Sequence, residues 1–334
     1  MTLSDNRFDL VAFGDAYVRL SAAPFQRLEQ SDGVDVFVAG NAIEAAVAAS
    51  RLGQSSAWLS VITENPLGRK IENKAREHGV DTTGVCRSPH GRVGLVYSES
   101  GSAPRESTDI DDREGASFDA PDRSPFDWTT VGRGRTLLLD LDALARYPGM
   151  ADGFSEAAAA TRGTDCKVAV CLGDGCGQCS DDRFELVRQA LGGADAVLAM
   201  VPAAKRIAAP NCQTEDLAAA VHEVTNANII AVSERILTTP RSATWRSWAI
   251  ETTEGGETVQ SDGPYQSDVI DRSGAFGAFV GVFLSHLSDT SLTESLAFGN
   301  VAATLSHSIP GNLLWTTRAD IESQISGTGK KLQR

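Results

Sequence analysis

Short apolar segments alternate with helical patterns along most of this chain, and that alternation restricts the fold more than any other feature. "FDLVAFG" (8–14), "SSAWLSVIT" (55–63), "RTLLLDL" (135–141), "KVAVCLG" (167–173), "ADAVLAM" (194–200) and "NIIAVS" (228–233) read as strands with no solvent face. Strands hidden on both sides belong to a mainly parallel sheet with helices packed on each face, so an α/β fold is expected. "NAIEAAVAASRLG" (41–53) supplies one such helix, with Asn41 as N-cap, a stripe of Ala42, Ala45, Ala46, Ala49 and Leu52, and a glycine stop. Its small side chains would let it lie unusually close to a sheet. "NPLGRKIENKAREHGV" opens with Asn65 as cap and Pro66 in the first turn, and ends at Gly79.

Two stretches break the rule. From about 16–38 and 92–117 the chain reads as extended, polar strands without helices between them, which a small β-sheet lid inserted in one α/β domain spanning 1–334 accounts for. Trp245 and Trp248 read as core, although their spacing also suits a strand rim or a subunit contact.

Charge narrows the partners. The net charge is −14, with 24 arginines against 6 lysines and 26 aspartates against 18 glutamates. An arginine-rich chain with an acidic surface suits solubility in concentrated salt, so a halophilic source is expected. No basic stripe exists for nucleic acid. The longest apolar run, Ala275–Leu284, is too short to span a bilayer. "MTLSDNRFDL" lacks the charged start and apolar core of a signal peptide, so a cytoplasmic protein is expected.

One stretch points to a ligand. "DVIDRSGAFGAF" (268–279) reads as a strand end, a turn and a glycine-bearing helix start, a place where backbone N–H groups hold anions. No acid or base stands at the mouth of that helix.

With "LVAFGDAYVRL", "VFVAGNAIEAAVAASRLG", "AWLSVITENPLGRKIENKAREHGVDTTGV" and "GRVGLVY" in order ahead of "DVIDRSGAFGAFVGVFLSHL", the chain resembles the PfkB-type (ribokinase-like) carbohydrate kinases, most of all the 2-keto-3-deoxygluconate kinases. The likeness runs nearly the whole length and weakens after about Phe118. It implies a three-layer α/β fold with a β-sheet lid, transfer of the γ-phosphoryl group of ATP with Mg to a sugar hydroxyl, and homodimers formed through the lid.

Carried over by position, the resemblance also implies a damaged site. Ser273, Gly274 and Ala275 keep the phosphate turn, Phe276 replaces a glycine, and Gly277 stands where the family's catalytic aspartate belongs. Met200 and Ala203 occupy the magnesium-organising Asn-x-x-Glu, and Ser233 and Ile236 replace the two glycines of the nucleotide turn. Cys171, Gly173 and Gly175 replace the Asp-x-Asn-x-Arg loop. On the sugar side Gly40 and Asn41 persist, beside Ala39 for a glycine and Glu44 for an asparagine. Arg113 matches the lid arginine that grips a sugar-acid carboxylate, Asp111 replaces an aromatic residue near it, and Arg105 is a possible assistant.

Three readings follow. The favoured one is a ligand-binding or regulatory pseudo-kinase for a small sugar or sugar acid, since several nucleotide contacts are missing together. The second is an active ATP-dependent kinase in which Asp271, Asp268 or Glu44 substitutes for the base. The third is a structural or interaction protein. Separately, Cys171, Cys176 and Cys179 have C-x4-C-x2-C spacing, the run of a [2Fe–2S] or zinc site, with Cys166 or Cys212 as a fourth donor. The expected reading is a buried strand cysteine with free or transiently paired thiols, not a metal.

Overall fold

The computed structural model describes residues 8–119, 126–252, 257–260 and 264–327. Its strands up to the lid are β1 (Phe8–Phe13), β2 (Tyr17–Ala22), β3 (Val34–Ala39), β4 (Ser56–Thr63), β5 (Val85–Ser88), β6 (Leu95–Glu99) and β7 (Thr108–Asp112). Then come β8 (Gly134–Asp140), β9 (Lys167–Leu172), β10 (Ala196–Met200), β11 (Ile229–Thr239), β12 (Ser242–Glu251), β13 (Glu257–Gln260) and β14 (Tyr265–Asp268). The first helices are α1 (Asn41–Arg51), α2 (Pro66–Glu77), α3 (Thr129–Gly132), α4 (Leu141–Arg146), α5 (Ala151–Ala159) and α6 (Asp174–Gln178). They are followed by α7 (Asp181–Ala190), α8 (Val201–Ile207), α9 (Leu217–Thr225), α10 (Ala275–Leu287), α11 (Leu292–Ser306) and α12 (Arg318–Ile325).

Ten strands form one sheet in the order β13-β12-β11-β10-β9-β8-β1-β4-β5, with β14 also paired to β12. From β11 to β5 every pairing is parallel, and β12 adds antiparallel to β11. The apolar strands expected from the sequence are the parallel ones. Helices α1, α2, α10 and α11 bury one face of the sheet. Helices α4, α5, α7, α8 and α9 bury the other. Trp245 and Trp248 lie buried on β12, which has neighbours on both sides.

The second sheet, β3-β2-β6-β7, has four strands. Tyr17, Val96, Asp109 and Asp111 line the cavity beneath it. Side chains of opposite parity point away from that cavity. Among them Leu20 pairs with Val36 and with Tyr97, and Tyr97 with Ile110, giving an apolar row across all four strands. Val36 and Ile110 are exposed.

The small residues of α1, expected to allow close packing on a sheet, also allow a short-range crossing with helix α10. A Cβ on Gly281 would collide with the carbonyl of Ala45, and one on Gly277, a turn earlier, with the Glu44 side chain. The crossing therefore delivers Glu44 to the N-terminus of α10. Asn41 does not cap α1 as expected. It is the first helical residue, and Gly40 precedes it at φ 137° with its N–H donating to Glu44 Oε1 at 3.1 Å. The carboxylate satisfies the helix end, which frees the Asn41 amide for other partners.

Candidate active site

A cavity of about 860 Å³ opens between the lid and the carboxyl ends of β1, β8, β9, β10 and β11, where open α/β sheets place their ligands. Lid residues Tyr17, Asp111 and Arg113 form its roof. Gly40, Asn41 and Glu44 of the α1 start, Asp140 and Asp142 after β8, and Gly173 to Gly175 form its inner wall. Arg272, Ser273, Gly274, Ala275 and Phe276 bring in the start of α10. The anion turn and the sugar-side residues Gly40, Asn41 and Arg113 thus share one cavity.

The turn has the expected form. Gly274 is left-handed at φ 79° and lies so close to Asn312 that a Cβ would strike the Asn312 backbone. Helix α10 then runs for 13 residues with its first N–H groups toward the cavity. Phe276 projects beside Gly173.

At position 277 the missing side chain has a replacement from another helix. Glu44 Oε2 lies 2.5 Å from where a Cβ of residue 277 would sit. Its other oxygen, Oε1, accepts from Gly40 N and from Asn312 Nδ2 at 2.9 Å. Burial pushes Glu44 up to about 7, opposed by those two hydrogen bonds.

Asp271 does not serve as a free base. It is buried against Arg19, accepts from Ser273 N at 3.0 Å and Gly311 N at 2.9 Å, and borders a separate cleft behind the turn. Arg19 Nε in turn donates to Asn312 Oδ1 at 2.8 Å. Asp268 is exposed on β14.

The lid arginine is occupied. Arg113 stacks 4.4 Å over Tyr17 and is bound to Asp111, which also holds Arg146 of α4. Arg105 lies outside the cavity, paired with Glu99 and bonded to the carbonyls of Phe25 and Ser100. On the α10 side Arg272 pairs with Asp109 of the lid, and Arg235 with Asp174.

Sequence reasoning missed the two aspartates of the inner wall. Asn41 Nδ2 bridges Asp140 Oδ1 at 3.2 Å and Asp142 Oδ2 at 3.1 Å, while Asp142 Oδ1 accepts from Gly173 N and Cys176 N at 3.1 and 2.7 Å. Burial first, then the Asp142 and Asp15 charges, raises Asp140 well above the carboxylate range; burial raises Asp142 and Asp15 as well. The signal was "LLLDLD", two acids at a strand end, hidden inside an apolar pattern.

The residues do not fit a magnesium site at the family position, since Met200 and Ala203 are buried and supply no oxygen. They do fit phosphate, through the α10 start and Arg272 and Arg235. Cys171 and Cys176 are buried thiols raised far above 9 by burial first and then by Asp140 and Asp142. Cys179 is half-buried and shares its carbonyl with Arg206. Among the described residues no group of three or more His, Cys, Asp or Glu side chains is arranged to hold a metal.

A mainly parallel sheet, a β-sheet lid and a phosphate-facing helix start define a ribokinase-like α/β kinase. The solved 2-dehydro-3-deoxygluconokinase of Thermotoga maritima superposes with a TM-score of 0.86 at 20% identity, covering 95% of this chain and 99% of that one. A putative ribokinase II from E. coli, in complex with ATP and Mg, superposes at 0.78 with 14% identity over 96% of this chain and 99% of its own. The chain belongs to the pfkB family of carbohydrate kinases, whose profile matches residues 7–312. Among its relatives, the 2-dehydro-3-deoxygalactonokinase of Haloferax volcanii is 28% identical over 98% of this chain and 99% of that one.

If the Arg19–Asp271 pair holds the lid strand to the phosphate turn, Asp271→Asn leaves a buried guanidinium uncompensated. The expected cost is about 3–5 kcal/mol, read as a lower midpoint in denaturant unfolding. A variant with wild-type stability contradicts this role.

Proposed function

We propose that this chain is a sugar kinase in which Glu44 takes the proton in place of the family aspartate. One observation carries the proposal: the Glu44 carboxylate fills the volume that a side chain at 277 would occupy. A general base works best with a pKa near the working pH, and burial has brought Glu44 to about 7. In the step, the acceptor O–H bond breaks as its proton passes to Glu44. The acceptor oxygen bonds to the γ-phosphorus of ATP, and the bond from that phosphorus to the ADP oxygen breaks. The N–H groups at the start of α10, with Arg272 and Arg235, face the transferring phosphoryl oxygens. The Thermotoga maritima and Haloferax volcanii proteins named above carry the names of sugar-acid kinases, which makes a sugar acid the acceptor that resemblance suggests.

Phe276 in the phosphate turn, with Met200 and Ala203 at the family's magnesium position, favours a second reading: a regulatory chain that binds sugar and transfers phosphoryl poorly. One assay decides. Under the first reading, MgATP-dependent phosphorylation of a sugar falls by roughly 10²- to 10⁴-fold in Glu44→Gln. The base must be ionised to act, so kcat/KM of the wild type rises with pH and levels off above about 7. Glu44→Gln loses that rise. Gly277→Asp alone collides with Glu44 and lowers both stability and rate, while Gly277→Asp with Glu44→Asn recovers the rate. Sugar binding without turnover in the wild type would support the second reading.

Pairing of two copies through the lid belongs to the same proposal, supported by the Val36–Leu20–Tyr97–Ile110 row on the lid's outer face. Substituting Val36→Glu and Ile110→Glu together is expected to convert a dimer to a monomer in light scattering. An unchanged mass would place the contact elsewhere.

A further inference from the structure

We infer that the inner wall of the cavity selects an acceptor sugar by its hydroxyl groups and turns away a carboxylate. This rests on the kinase reading of the cavity, but not on Glu44 being the base.

Asp140, Asp142 and Asp15 converge there on the carboxyl ends of β8 and β1. Asn41 locks the first two in place from α1. Asp142 also fills the side-chain space of the adjoining loop: its carboxyl carbon and oxygens lie 3.0–3.3 Å from where a Cβ on Gly175 would be, and its Oδ2 invades the same space at Gly173. The loop facing the acceptor is thus stripped of side chains, and acidic oxygen occupies the vacated volume.

Asp15 supplies an independent observation. It is 3% exposed, lines the cavity, and its Oδ2 has no hydrogen-bond partner; Arg113 Nη1 stands 3.6 Å away. A buried acceptor left without a donor costs about 1–3 kcal/mol. It identifies its ligand as something that donates. The Tyr147 hydroxyl bonds the same carboxyl group, which leaves the Oδ2 oxygen open toward the cavity.

Hydroxyl groups meet these needs. Each donates to a carboxylate oxygen in a short, charge-assisted bond. A carboxylate on the ligand brings no donor to the unpartnered Asp15 oxygen, and its charge is disfavoured beside buried acidic groups. The arginines that line the cavity are already engaged: Arg113 with Asp111 and Asp15, Arg146 with Asp111, Arg235 with Asp174, Arg272 with Asp109, and Arg183 with the carbonyls of Ala145 and Arg146. The acceptor class is therefore a neutral polyhydroxylated sugar, in contrast to the acids named for the relatives.

The test is equilibrium titration calorimetry on the full chain without nucleotide at pH 8. Neutral aldoses and ketoses of five and six carbons are compared with D-gluconate and 2-keto-3-deoxygluconate. The expected result is a neutral sugar bound at least about ten-fold more tightly than any acid. Asp15→Asn is expected to weaken that sugar about ten-fold or more. Asp142→Asn keeps an oxygen for the Gly173 and Cys176 N–H groups, so its fold is preserved, and it is expected to narrow the gap between neutral and acid ligands. An acid bound as tightly as the best neutral sugar overturns the inference, as does binding that Asp15→Asn leaves unchanged or a panel in which nothing binds. Because no turnover is read, failure of Glu44 as a base leaves this result standing. An active kinase that prefers acids would sink only the hydroxyl wall.

Discussion

A buried polar chain running from Asp271 through Arg19 and Asn312 to Glu44 holds the rest of the site in register. Arg19 belongs to the lid, Asp271 precedes the phosphate turn, Asn312 follows α11, and Glu44 rides on α1. One guanidinium and one amide therefore tie together four segments far apart in sequence. Buried charge is costly unless paired and hydrogen-bonded, and each member here satisfies the next. The linkage holds the turn before α10 and the Glu44 carboxylate in fixed relation to each other.

Within that body, side-chain volume is kept while its source in the chain changes. Glycine at 277 is the counterpart of glutamate at 44, because the close helix crossing leaves room for one carboxylate. Glycines at 173 and 175 are likewise the counterparts of Asp142. Asp140, the register partner of Cys171 across β8 and β9, places its Oδ1 3.9 Å from the Cys171 sulfur. Residue-by-residue comparison with a family motif does not see the side chains that neighbouring strands and helices bring into the same spaces.

Electrostatics divides the cavity in two. At the rim, aspartates of β7 meet arginines of the body, Asp109 with Arg272 and Asp111 with Arg146, so the lid is held over the site by charge. Asp140 and Asp142 of the inner wall have no arginine partner among the described residues; burial raises both, and the Asp142 charge raises Asp140 further. An excess of arginine over lysine is consistent with this arrangement, because a planar guanidinium can serve a carboxylate and an aromatic face at once, as Arg113 does with Asp111 and Tyr17.

Periodicity and composition were enough to determine the parallel sheet, its two helix layers, and the glycine turn that starts α10, because those follow from local pattern and from which faces must avoid water. Asn65 as a cap was legible for the same reason. The partners of the site residues were not. Whether Asp271 was a base or a structural ion-pair member, whether Asn41 capped a helix or bridged two aspartates, and whether Glu44 stood beside Gly277 depended on contacts between segments hundreds of residues apart. Local sequence carries no distance across such a gap; only the packed structure decides which side chain enters the space another has left.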